Sequence, residues 1–116
     1  MNGEKRKAIR VKTTINVQYF LDTDRWDITT VKDISETGLS IITGKCFDKD
    51  GPIWLRIRIP SLPFDPIEVQ GRVVESKDTG VGNMYLTRVE FKELTPEIKK
   101  TFHDYIDWAA RTEQKS

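Results

Sequence analysis

Cysteine and histidine are almost absent from this sequence: Cys46 and His103 are the only ones in 116 residues. One thiol cannot close an internal disulfide, and that frugality fits a reducing compartment, so a cytoplasmic protein is expected. One histidine with one cysteine cannot build a zinc site of the usual kind. Cys46 has no base near it in sequence to activate it as a nucleophile. No apolar run approaches the roughly 20 residues needed to span a bilayer, so no membrane insertion is expected. The basic N-terminus has no apolar segment behind it and does not read as a secretory signal. No glycine-rich phosphate loop precedes a helix. Asp48 and Asp50 in "DKDG" resemble the start of a calcium loop, but Ile57 then falls where the bidentate glutamate belongs. Asp22, Asp24 and Asp27 are read as solvating a hairpin, and His103 as a boundary residue of a helix. No catalytic residue and no metal ligand is expected, so the chain is read as a binding protein and not as an enzyme.

What is present is a pattern of strands. Val11, Thr13, Ile15, Val17 and Tyr19 alternate with polar residues, the signature of a strand with one buried face. Trp26 to Val31 reads as a second strand, whose alternation slips between Ile28 and Val31 as at a bulge. "LSII" (39–42), Ile53 to Ile59, Ile67 to Glu75 and Tyr85 to Phe91 supply four more. "DKDGP" and "DTGVGN" are turn sequences, and "PSLPFDP" must be a loop. After them the period changes to that of a helix. Thr95 is placed to cap it, Pro96 suits its first position, and Ile98, Phe102, Tyr105, Ile106 and Ala109 line one face. The expected fold is all-β with a C-terminal helix: a six-stranded antiparallel β-barrel over 11–110, with the helix at 95–110. Residues 111–116 read as a frayed tail.

Charge is unevenly placed. The net charge is +1, yet residues 1–12 hold Lys5, Arg6, Lys7, Arg10 and Lys12 against Glu4 alone, and the remainder is mildly acidic. Residues 1–12 therefore read as a basic, flexible arm ahead of the barrel, suited to an anion. A guanidinium forks onto two acceptors at once and always keeps its charge. Guanine presents N7 and O6 as such a pair, and phosphate presents another. Further on, Asp33, Ser35 and Gly38 stand in "DISETG". Alone these are turn residues, with glycine expected at positive φ. Strand alternation puts Asp33 and Ser35 on one side of the chain, so a carboxylate, a hydroxyl and bare backbone are offered together.

Arg6-Lys-Ala-Ile-Arg10, a strand, a turn and a strand, then Asp33-Ile-Ser-Glu-Thr-Gly38 together resemble the PilZ domain family. "RVKTTINVQY", "DISETGLSI", "VQGRVVES" and "MYLTRVEF" are similar to the family's strands, and a helix follows them, so the likeness covers nearly the whole chain. The resemblance implies a bacterial receptor for cyclic di-GMP on a six-stranded barrel, with no cofactor. It implies that Arg6 and Arg10 wrap a guanine and the phosphates, with Lys5 and Lys7 as auxiliary cations. Asp33 and Ser35 would bond the ligand from the barrel, and Gly38 would let it sit close. The implied output is a contact with an effector protein, in motility, exopolysaccharide production or virulence, switched as the ligand orders the arm. A homodimer stays open. Two other readings stand beside it. One is a PilZ-like interaction barrel that takes no nucleotide. The other is a nucleic-acid binder using the arm with Trp54, Arg56 and Arg58, against which the net-acidic body argues.

Overall fold

The computed structural model describes residues 10–13, 15–22, 25–59 and 66–115. The elements are β1 (Val11–Lys12), β2 (Asn16–Asp22), β3 (Arg25–Ile34), β4 (Gly38–Thr43), β5 (Pro52–Ile57), β6 (Ile67–Asp78), β7 (Tyr85–Phe91) and α1 (Pro96–Lys115). The strands pair in the order β3–β2–β5–β6–β7–β4, and β4 returns to β3, which closes a six-stranded antiparallel barrel. The two-residue β1 is an extra strand on β3, with Val11 opposite Ile34 and Lys12 opposite Asp33.

The alternating apolar residues fill the barrel. Val11, Ile15, Val17 and Tyr19 are buried, as are Ile53, Leu55 and Ile57 on β5 and Val69 and Val73 on β6. The expected single strand from Val11 to Tyr19 is nevertheless broken. Thr13 Oγ1 accepts the Ile15 N–H at 3.2 Å, which takes that donor out of the ladder. Inward alternation survives the break, because Val31 N–H donates to the Ile15 carbonyl at 3.0 Å and holds the chain on β3.

The bulge expected between Ile28 and Val31 lies a little later. Pairing of β3 with β2 is in step from Thr30 to Trp26, and the register shifts between Val31 and Asp33, where β3 meets β4. Val31 and Ile34 both point inward, so Lys32 and Asp33 both lie outside the core. One extra residue has thus turned Asp33 out of the core, to a half-buried place on the barrel wall. Strand β6 runs to Asp78, past the expected Glu75, because β7 keeps pairing with it to Tyr85. In the turn that follows, Gly80 and Gly82 take φ of 84° and 53°.

Helix α1 begins as expected. Thr95 Oγ1 accepts the Ile98 N–H at 3.2 Å, and Pro96 is the first helical residue. Phe102, Tyr105 and Ile106 are buried, and Phe102 stacks on Phe91 of β7 with ring centroids 5.2 Å apart. The helix continues to Lys115, so 111–115 are helical and not a frayed tail. No Gly or Pro intervenes to stop it, and Arg111 pairs with Asp107 one turn back at 3.0 Å.

Candidate functional site

The bulge at the end of β3 places Asp33 between two strands, opposite Lys12 of β1 and Ser40 of β4. Arg10 immediately precedes β1, and its Nε lies 3.3 Å from Asp33 Oδ1, with each side chain about one-third exposed (33% and 34%). The pair is close but poorly directed. Asp33 Oδ1 is buried and accepts no hydrogen bond from any described residue. A buried carboxylate oxygen without a donor is costly, so this atom is an acceptor in want of an N–H or O–H.

Ser35 follows at the tip. Its N–H donates to the Gly38 carbonyl at 2.8 Å, and its Oγ accepts the Thr37 N–H at 3.2 Å while also meeting Thr37 Oγ1 at 3.1 Å. The hydroxyl therefore builds the turn, and the residue is 1% exposed. Gly38 does not take the positive φ expected of it; among the described glycines only Gly80 and Gly82 do. It pairs with Glu90 of β7, and a Cβ added there would sit 2.1 Å from the Val89 carbonyl oxygen. The glycine is demanded by the close approach of β7.

These elements frame an open cleft of about 380 Å³, lined chiefly by Arg10, Ser35, Thr37, Gly38, Arg88 and Glu90. The structure therefore brings Arg10, Asp33, Ser35 and Gly38 together at one end of the barrel. Arg6, Lys5 and Lys7 lie outside the described residues. Glu90 is held by Arg72, which donates to it from Nη2 at 2.7 Å and Nε at 3.3 Å. Arg88 escaped the sequence reading. The alternation of β7 already put it on the outer face, but nothing linear shows that β7 lies beside β4.

A second missed contact ties the same turn to the helix. His103 Nδ1 and Glu36 Oε2 are 2.6 Å apart across 67 residues of sequence. That hydrogen bond, with the attraction of the carboxylate, raises the His103 pKa above its ordinary value. Elsewhere, Trp26 packs against Phe20 and carries Arg56 over its ring at 4.0 Å. Arg56 is also paired with Glu68 at 3.0 Å, and Trp54 is 47% exposed. Among the described residues no group of three or more His, Cys, Asp or Glu could hold a metal ion. No helix among them is long and apolar enough to cross a membrane.

The profile of the PilZ domain family matches residues 4–108, nine-tenths of the chain. The chain belongs to the PilZ domain family. No match is found among the curated proteins. Solved structures share the PilZ fold at low identity. The Bacillus subtilis inhibitor of motility, MotI/DgrA, superposes with a TM-score of 0.75 at 17% identity, over 97% of this chain and 52% of that one. The PilZ domain of Escherichia coli YcgR, solved with c-di-GMP, gives 0.72 at 9% identity, over 96% and 95%. The K. pneumonia MrkH–c-di-GMP complex gives 0.66 at 14% identity, over 96% and 55%. This PilZ chain thus spans about half the length of the MotI and MrkH chains it matches.

Proposed function

We propose that this PilZ domain is a cytoplasmic receptor for cyclic di-GMP, and that the ligand orders the basic N-terminal arm so as to change a contact with an effector protein. The observation that carries the reading is the buried Asp33 Oδ1, which accepts no hydrogen bond and has only the ion pair with Arg10, itself a residue of the cleft wall. Guanine carries N–H donors on one edge and the O6/N7 acceptor pair on another. The carboxylate accepts from the first, and forked guanidiniums serve the second and the phosphates. Arg6 and Arg10, four apart on the arm, are assigned to the phosphates and one guanine, with Lys5 and Lys7 adding charge. Asp33 and the Ser35–Gly38 turn hold the ligand from the barrel. The c-di-GMP present with the YcgR domain and with MrkH supports this ligand. MotI, an inhibitor of motility, supports motility control as an output. The chemistry is recognition, without bond making or breaking.

A free arm with five cations in twelve residues repels itself, and a ligand with two phosphates offsets that repulsion. Binding therefore shifts the arm toward one placement, a disorder-to-order switch driven by differential affinity. The reading of this barrel as an interaction module that takes no nucleotide is favoured by one feature, the partly exposed row of Trp26, Phe20 and Trp54 on neighbouring strands.

Calorimetry with cyclic di-GMP, GTP and a short oligonucleotide separates the readings. Saturable binding of the cyclic dinucleotide alone is expected, lost or weakened at least about tenfold in Arg6→Ala, Arg10→Ala and Asp33→Ala. Trypsin cleavage after Lys5, Arg6, Lys7 and Arg10 is expected to slow once ligand is bound. A flat titration refutes the receptor; unchanged cleavage with normal binding refutes the ordering of the arm.

A further inference from the structure

We propose that Arg88 is a third arginine of the ligand site, supplied by the barrel wall and not by the arm; the proposal rests on reading the cleft as a cyclic di-GMP site. Arg88 leaves β7 outward, because its neighbours Thr87 and Val89 are buried. It stands opposite Ser40 of β4, which in turn stands opposite Asp33 of β3. Asp33, Ser40 and Arg88 thus form one row across three strands. Two interstrand steps of about 4.8 Å separate the acid from the base, with the buried Ser40 between them. Arg88 and Arg10 line the same cleft.

The charge bookkeeping around Arg88 points the same way. Arg10, Arg25, Arg56, Arg72 and Arg111 each pair with a carboxylate, and Arg58 has a partner of its own. Arg88 alone among the described arginines has none. Its natural candidates are occupied: Glu90 is held by Arg72, and Glu75, directly across on β6, lies 3.8 Å from Lys77. An unpaired guanidinium facing a cleft that already holds Arg10 is set for an anion or for a guanine edge, both of which a cyclic dinucleotide supplies. A fork mounted on a paired strand is also held more firmly than one on an arm, so it fixes where the ligand lies.

The test is a calorimetric titration of the full chain with cyclic di-GMP, for the wild type, Arg10→Ala, Arg88→Ala and Arg88→Lys, with thermal unfolding of each ligand-free protein alongside. Arg88→Ala is expected to weaken binding at least about tenfold at an unchanged ligand-free melting temperature, since the side chain has no hydrogen bond or ion pair to lose. Arg88→Lys is expected to stay weaker than wild type, because an ammonium lacks the fork. If the wild type binds and Arg88→Ala binds equally well or more tightly, this inference falls while the receptor reading stands. Full recovery by lysine overturns the forked contact. A wild type that does not bind removes the receptor reading, and this inference with it.

Discussion

Replacing Gly38 with alanine should destabilise the ligand-free protein, and the size of the effect follows from the position of one oxygen. The new Cβ would lie 2.1 Å from the Val89 carbonyl oxygen and 3.1 Å from the Glu90 Cα. Both are backbone atoms of β7, so no side chain can swing aside. Relief requires β4 and β7 to part at the end of a ladder that runs from Gly38↔Glu90 to Thr43↔Tyr85. Overpacking of this kind costs about 1–3 kcal/mol, and a frayed terminal rung adds about 1 kcal/mol for each hydrogen bond lost. A loss of about 3 kcal/mol lowers the melting temperature of a domain this size by about 12 °C. Urea denaturation without ligand measures it directly, with Gly80→Ala as the comparison. Gly80 has open space around it, and its φ of 84° alone makes alanine strained there, by about 1–2 kcal/mol. If Gly38→Ala unfolds within about 0.5 kcal/mol of wild type, the close strand approach does not require glycine. Its place in the motif would then have to be explained by the ligand alone.

Two further outcomes are expected. Phe102 is fully buried and stacked on Phe91, so Phe102→Ala should cost about 3–5 kcal/mol in denaturant unfolding and loosen α1; a loss under about 1 kcal/mol would mean the helix is held by other contacts. His103 has its pKa raised by Glu36, so its contribution to stability is fully present below its ordinary value of about 6.5 and fades as pH rises through the raised value. The melting temperature should therefore decline across that window in wild type and not in His103→Gln, and parallel pH profiles would sink the assignment.

The strands were legible because nearly every one has a single buried face, and period two survives even where the ladder does not. That is why Val11, Ile15, Val17 and Tyr19 read correctly as inward while the break at Thr13 was invisible: it depends on one hydroxyl competing for one N–H. The bulge was sensed three residues early, since Ile28 is an exposed apolar residue (69%) that spoils the alternation without any register shift. Helix α1 began on a capping signal and overran its expected end for want of a stop signal. In the site, Asp33 was legible as an acid outside the core, while the burial of its Oδ1 was not. Arg88 and Glu36–His103 were not, because each depends on which strand or helix lies beside which. At Gly38 the positive φ expected of a turn glycine is absent and the crowding comes from the backbone of β7, a contact no linear reading shows.

The return of β4 to β3 bears on how this molecule can meet others. Each of the six barrel strands has a hydrogen-bonding neighbour on both sides, and β1 is only two residues long. Along the described stretches where both edges of a strand are paired, a foreign peptide finds no vacant amides and carbonyls to zip onto, and the route by which many sheet proteins polymerise or capture extended segments is closed there. On those stretches the barrel offers a partner the side chains of its outer wall, so the choice of a few residues, and not backbone complementarity, sets the contact.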